Sequence, residues 1–155
     1  MMNKLSIGSK LPDFSGLDQN GAEISANSFH GKRLVIYFYP KDNTPGCTAQ
    51  ACSLRDDYSA LLKQNIAVLG VSADTVGSHK KFSDKFQLPF PLLADTERIL
   101  LELFGVWGEK KFMGKTYDGI HRTTFLFDEA GTLISVIDKP NTKNHAQEVL
   151  AIYAA

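Results

Sequence analysis

Two uninterrupted apolar runs constrain this chain more than any other feature. Arg33-Leu34-Val35-Ile36-Tyr37-Phe38-Tyr39 and Ile66-Ala67-Val68-Leu69-Gly70-Val71-Ser72 are almost continuous stretches of β-branched, aliphatic and aromatic residues. A strand with one wet face alternates polar and apolar residues, whereas a strand without alternation is buried on both faces. Between the runs, Ala51, Leu54, Tyr58, Leu61 and Leu62 recur at helical spacing, so the segment from about Thr48 to Gln64 reads as a helix. Strand, helix and strand form a βαβ unit whose two strands lie parallel in a helix-covered sheet.

The flanking segments extend this unit. The N-terminal part is rich in Gly, Asn, Asp and Ser and predicts short strands and turns. Val76 to Gln87 predicts a helix with Ser78 as its N-cap, and Pro89-Phe90-Pro91-Leu92-Leu93 an extended piece, because proline resists helix on either side. Thr96 to Phe104 reads as helical again. Gly105, Gly108, Gly114 and Gly119 then punctuate what reads as a long loop. Thr123–Phe127 and Thr132–Ile137 flank Asp128-Glu129-Ala130-Gly131, a hairpin signal, and a last helix runs from about Thr142 to Tyr153. The expected class is α/β: a mixed central sheet flanked by helices, with an N-terminal strand extension, compatible with a thioredoxin-like fold. No linker, repeat or low-complexity tract divides the chain, so residues 1–155 are expected to form one domain.

Charge narrows the function. Lys plus Arg and Asp plus Glu both total 17, giving a formal charge of zero. That speaks against an electrostatic footprint for nucleic acid or an anionic membrane. The cluster Lys110, Lys111 and Lys115 reads as a solvated loop. No stretch approaches the ~18 apolar residues of a membrane span. The start, Met1-Met2-Asn3-Lys4-Leu5, has no apolar run of the signal-peptide kind, so a cytoplasmic setting is expected. Structural disulfides are rare there, and cysteines are more often catalytic, metal-binding or inert.

The chain's two cysteines follow the first apolar run, in Pro40-Lys41-Asp42-Asn43-Thr44-Pro45-Gly46-Cys47-Thr48-Ala49-Gln50-Ala51-Cys52. Pro45 and Gly46 turn the chain and place Cys47 at a helix start, where unpaired N–H groups and the helix dipole favour a thiolate. The plainer alternative is a small buried hydrophobe, a common fate of free cysteine. Cys52 lies five residues on. Along an intact helix that separation is a rise of about 7.5 Å and a rotation of about 140° beyond a full turn. The Cα atoms then stand roughly 8.5 Å apart, beyond the limit of about 7 Å for a disulfide. A Cys47–Cys52 bridge therefore requires the first turns to unwind; without one, Cys52 is an inert thiol.

Thr44 either caps the helix or aims its hydroxyl at a substrate. Arg122, just before the strand at Thr123, either steadies a thiolate and an oxyanion in a pocket or lies on the surface. The histidines (His30, His79, His121, His145) are dispersed, and no Cys/His spacing matches a zinc module, so neither metal nor another cofactor is expected. A thioredoxin-like disulfide reductase would carry C-x-x-C, whereas the spacing here is C-x-x-x-x-C.

These residues resemble a known family. Pro40-x-x-x-Thr44-x-x-Cys47 is similar to the active-site motif of the peroxiredoxins, thiol peroxidases that use no haem or metal. The longer string Phe38 to Thr48, together with Trp107-Gly108-Glu109-Lys110-Lys111, Gly114-Lys115, Tyr117 and Arg122, resembles the peroxiredoxin Q subfamily, also called bacterioferritin comigratory protein. The likeness runs over nearly the whole chain. It implies that Cys47 is the peroxidatic cysteine, that Thr44 hydrogen-bonds the peroxide and the thiolate, that Pro40 shields the pocket and that Arg122 polarises the substrate. Cys52 matches the resolving cysteine of members that keep both thiols on one helix. The implied partners are a hydroperoxide and thioredoxin or a similar dithiol reductant, and the subfamily tends towards monomers. Many relatives carry Glu three residues after the peroxidatic cysteine, where this chain has Gln50.

Overall fold

The two apolar runs become adjacent central strands of a seven-stranded sheet. The computed structural model describes residues 4–155; Met1 to Asn3, within the start read above for a signal peptide, lie outside the described residues. In chain order the elements are β1 (Ser15–Leu17), β2 (Glu23–Ser25), β3 (Arg33–Phe38), α1 (Pro45–Asp56), α2 (Tyr58–Lys63), β4 (Ile66–Ser72), α3 (Val76–Phe86), β5 (Leu92–Ala94), α4 (Ile99–Leu103), β6 (Trp107–Phe112), β7 (Lys115–Ile120), β8 (Thr123–Phe127), β9 (Leu133–Ile137) and α5 (His145–Ala154). The sheet order is β2-β1-β5-β4-β3-β8-β9, and β6-β7 form a separate ribbon. Strand β3 runs parallel to β4 and antiparallel to β8. This is the mixed thioredoxin-like sheet expected, and the β1–β2 pair is the N-terminal extension on its β5 edge.

Burial of β3 from Leu34 onward follows from its having a core on each face. Leu34, Ile36 and Phe38 join Leu100 of α4, Phe104 just after it, and Phe125 and Phe127 of β8 on one side. Val35, Tyr37 and the following Tyr39 join Cys47, Ala51 and Leu54 of α1, Leu61 of α2, Phe82 of α3 and Val149 of α5 on the other. Each buried Leu, Ile, Val or Phe among them contributes roughly 1.5–3 kcal/mol. The thiol-bearing helix is therefore one wall of a core whose opposite wall is the strand preceding it.

Four expectations change. The glycine-punctuated segment is a β-hairpin, not a loop: Trp107 pairs with Ile120 and Phe112 with Lys115. Met113 and Gly114, with φ of 51° and 77°, make the left-handed two-residue turn that matches strand twist. The helix read through to Gln64 breaks at Asp57, whose backbone (φ −106°, ψ 17°) leaves the helical region and separates α1 from α2. Thr75, not Ser78, is the N-cap of α3: the Ser78 N–H donates to its hydroxyl at 3.1 Å. The helix expected from Thr96 begins at Ile99, because the Asp95 carboxylate accepts the N–H groups of Ile99 and Leu101 and holds residues 96–98 in a turn. Among the described residues, no helix is long and apolar enough to cross a membrane.

Candidate active site

Strand register brings the distant arginine to the thiol. Phe38, the last residue of β3, pairs with Thr123, the first of β8. Arg122 therefore emerges beside the point where the chain leaves β3 for α1. Thr44 is extended (φ −100°, ψ 157°) and its carbonyl accepts the Thr48 N–H at 2.8 Å, so it occupies the N-cap position. Pro45 follows at the first helical position, where its missing N–H has no partner to lose. The Thr44 hydroxyl does not cap the helix; it donates to the Lys41 carbonyl at 2.9 Å.

Cys47 is 1% exposed and packs in the same cluster as Tyr37, Ala51 and Leu54. Its sulfur accepts from Arg122 Nη2 at 3.4 Å. The other guanidinium nitrogen, Nη1, donates to Gln50 Oε1 at 2.7 Å. Both readings of Cys47 thus hold in part: it sits where a core hydrophobe sits, yet it faces a positive charge that a hydrophobe has no use for. Cys52 is half-buried further along the same helix, and both thiols are free. Pro40 is half-buried at the bend after Tyr39, where the chain turns towards Thr44.

Three neighbours, Tyr37, Gln50 and Lys110, take contacts that local pattern did not reveal. Among the described residues, Tyr37 OH and Gln50 Nε2 are the buried side-chain atoms without a hydrogen-bond partner. Burial drives the Tyr37 phenol well above its ordinary pKa; the Cys47 and Asp42 charges reinforce the shift and Arg122 opposes it. Tyr37 is therefore an undissociated donor at neutral pH. Lys110 reaches from β6 to donate to the Ile120 carbonyl at 2.8 Å. Partial burial, then the Arg122 charge, lower its ammonium pKa. Its placement in the Trp107–Lys111 stretch was the available signal; its position near Arg122 was not legible without the hairpin.

Asp42, Asp74 and His79 bring ligand-type atoms within 4.8 Å of one another. They are taken up by protein partners: the Asp42 carboxylate by Tyr39, Ser78 and His79, and Asp74 by Ser72 and the Asp42 N–H. The cluster reads as an internal network, not an open ligand set.

A thiol at a helix start, touched by an arginine from the neighbouring strand, on a thioredoxin-like sheet, defines the class of thiol-dependent redox enzymes. Comparison with known proteins makes this specific. Residues 7–136 match the AhpC/TSA family. The chain is 49% identical over 149 residues to peroxiredoxin Bcp of Escherichia coli K12, covering 96% of each, and 44% identical over 146 residues to peroxiredoxin Bcp of Bacillus subtilis, covering 94% of this chain and 93% of that one. Among solved structures, the Xanthomonas campestris bacterioferritin comigratory protein, studied for alkyl peroxide reduction, superposes with a TM-score of 0.88 at 35% identity, over 96% of this chain and 98% of that one. The chain belongs to the AhpC/TSA family, and within it to the peroxiredoxins of the Bcp/peroxiredoxin Q subfamily, thiol-dependent peroxidases.

Proposed function

We propose that this peroxiredoxin reduces hydrogen peroxide and organic hydroperoxides through Cys47, with Cys52 completing the cycle. The observation that carries the reading is the Arg122 contact with the Cys47 sulfur at the start of α1. The Cys47 thiolate attacks the terminal peroxide oxygen in line, the O–O bond breaks, and the leaving alkoxide or hydroxide takes a proton, which leaves Cys47 as a sulfenic acid. Arg122 stabilises the thiolate and then the negative charge developing on the oxygens. Thr44 orients the peroxide, and Pro40 limits water access at the loop bend.

The second half-reaction needs a change of shape. With both thiols on the uninterrupted helix α1, five positions apart, their Cα atoms stand beyond disulfide reach. The N-terminal turns of α1 unwind, Cys52 attacks the sulfenic sulfur, water leaves, and a Cys47–Cys52 disulfide forms. A dithiol protein such as thioredoxin reduces it by exchange and is itself oxidised. Organic hydroperoxides are included because the related Xanthomonas campestris protein is described by its alkyl peroxide reduction.

Stopped-flow oxidation with hydrogen peroxide and a bulky organic hydroperoxide tests the assignment. Cys47→Ser is expected to abolish peroxide consumption, and retained turnover overturns the peroxidatic role. Cys52→Ser is expected to give one rapid oxidation to a sulfenic acid without an intrachain disulfide. Amide exchange over residues 47–52 is expected to quicken in the disulfide form; equal protection in both redox states removes the unwinding step.

A further inference from the structure

We propose that His79 and Asp74 are positioning residues for peroxide reduction: they clamp the Lys41–Asp42 peptide on which the Thr44 hydroxyl rests. The inference builds on the peroxidase reading above and assigns work to a buried network that the mechanism has not used.

The clamp runs through one peptide unit. Its carbonyl, that of Lys41, accepts the Thr44 hydroxyl at 2.9 Å. Its N–H, that of Asp42, donates to Asp74 Oδ2 at 2.9 Å. That carboxylate oxygen also accepts the Ser72 hydroxyl at 2.7 Å, and the Asp74 N–H donates back to Ser72 Oγ at 3.2 Å. Asp74 is thereby fixed to the end of β4, a strand of the central sheet.

The side chain of Asp42 is gripped from the other direction. Its Oδ1 accepts the Tyr39 hydroxyl at 2.5 Å, and its Oδ2 accepts Ser78 Oγ at 2.8 Å and faces His79 Nδ1 at 2.7 Å. His79 Nε2 lies 3.0 Å from the Leu93 carbonyl. A carbonyl only accepts, so Nε2 carries a proton and donates it. One further proton then lies on the line between Nδ1 and Oδ2, whichever atom holds it. His79 has no solvent exposure, and an unmade bond at this depth is costly. Helix α3 and strand β5 are thus tied to the loop two residues before Thr44 and five before Cys47.

The consequence is chemical. With its proton committed to Lys41, Thr44 Oγ keeps its lone pairs for a substrate O–H. If the peptide rotates, that acceptor direction is lost, and misplacement of about 1 Å lowers a rate by up to roughly a hundredfold. Asn43, between clamp and threonine, has a left-handed φ of 58°, which asparagine adopts readily, and turns the loop towards Thr44.

Paired substitutions at residue 79 separate positioning from packing. In His79→Asn the amide nitrogen lies near Nδ1 and keeps a donor to Asp42; in His79→Gln it lies near Nε2 and keeps only the Leu93 contact. His79→Gln and Asp74→Ala are expected to slow Cys47 oxidation by hydrogen peroxide roughly ten- to hundredfold. Cys47 alkylation by iodoacetamide, which needs no Thr44, is expected to stay within about twofold. Exchange of the Asp42 amide is expected to quicken in both, and His79→Asn to retain most of the peroxide rate. Equal losses in the Asn and Gln variants, a parallel fall in alkylation, or an unchanged peroxide rate overturns the proposal. Should His79→Gln not fold, Asp74→Ala applies the same test at a half-buried site. Wild-type Cys47 that peroxide does not oxidise sinks the peroxidase reading instead, and the clamp then stands or falls on the Asp42 amide.

Discussion

The Arg122 guanidinium reaches the Cys47 sulfur by passing over Gly46: a Cβ added at residue 46 would stand 3.2 Å from Nη2. Gly46→Ala therefore forces the guanidinium to give by a few tenths of an ångström. Position 46 lies within a helix, where alanine is favoured intrinsically. The expected outcome is a thermal midpoint that holds or rises while the peroxide rate constant falls by about threefold or more. Stopped-flow fluorescence and a melt read both. An unchanged rate would mean that the Arg122–Cys47 contact is not used in the reaction.

Gln50 presents a balance of two terms. Its Oε1 accepts from Arg122, while its buried Nε2 has no partner. Gln50→Leu removes an orphaned donor, worth about 1–3 kcal/mol, and a hydrogen bond to a charged group, worth about 1.5–3 kcal/mol. Stability is expected to change by no more than about 2 kcal/mol in either direction, whereas the untethered guanidinium lowers the peroxide rate about tenfold. Urea unfolding beside stopped-flow oxidation checks the split, and a rate that tracks stability contradicts it.

Tyr37 and Gly70 face each other across paired strands. A Cβ at residue 70 would meet Tyr37 OH at 2.9 Å and Leu92 Cδ2 at 2.8 Å, inside the core. Gly70→Ala is expected to cost about 1–3 kcal/mol by overpacking. Tyr37→Phe, which deletes an unpartnered hydroxyl, is expected to gain about 1 kcal/mol. Tyr37 Cζ also stands 2.9 Å from that Cβ and stays in the Tyr37→Phe background, so the alanine should cost only slightly less there, a coupling that a double-mutant cycle in urea measures.

His145 gives stability a pH dependence of known sign. It is buried between Thr124, 2.9 Å from Nε2, and Glu148, 2.9 Å from Nδ1. Burial lowers its pKa from 6.5, against the raising effect of Glu148. As pH falls below about 6.5 the unfolded chain takes up the proton first, so stability present above that pH is lost until the folded imidazole also titrates. Wild-type urea midpoints are expected to drop more steeply between about pH 7.5 and pH 5 than those of His145→Gln. Parallel slopes would remove His145 as the cause.

The sequence by itself determined what local pattern encodes. The apolar runs of β3 and β4 have no alternation to hide, so their burial, and the βαβ unit with its thiol-bearing helix, were legible. Pro45 and Gly46 marked the helix start, and the five-residue spacing of Cys47 and Cys52 set the geometry of the pair. The β6–β7 ribbon was not legible because its apolar residues, Trp107, Phe112, Tyr117 and Ile120, are scattered among charged and glycine residues, leaving no period to read. The break at Asp57 was hidden because the apolar spacing of Leu54, Tyr58 and Leu61 runs across it without a change. Only the tertiary structure decided which side chains meet. Arg122 lies 75 positions from Cys47 and His79 lies 37 from Asp42. Strand register places the arginine, and the packing of α3 beside the loop places the histidine. Neither contact leaves a trace in local pattern, because a hydrogen bond between distant residues depends on how sheets and helices pack and not on the chain between them.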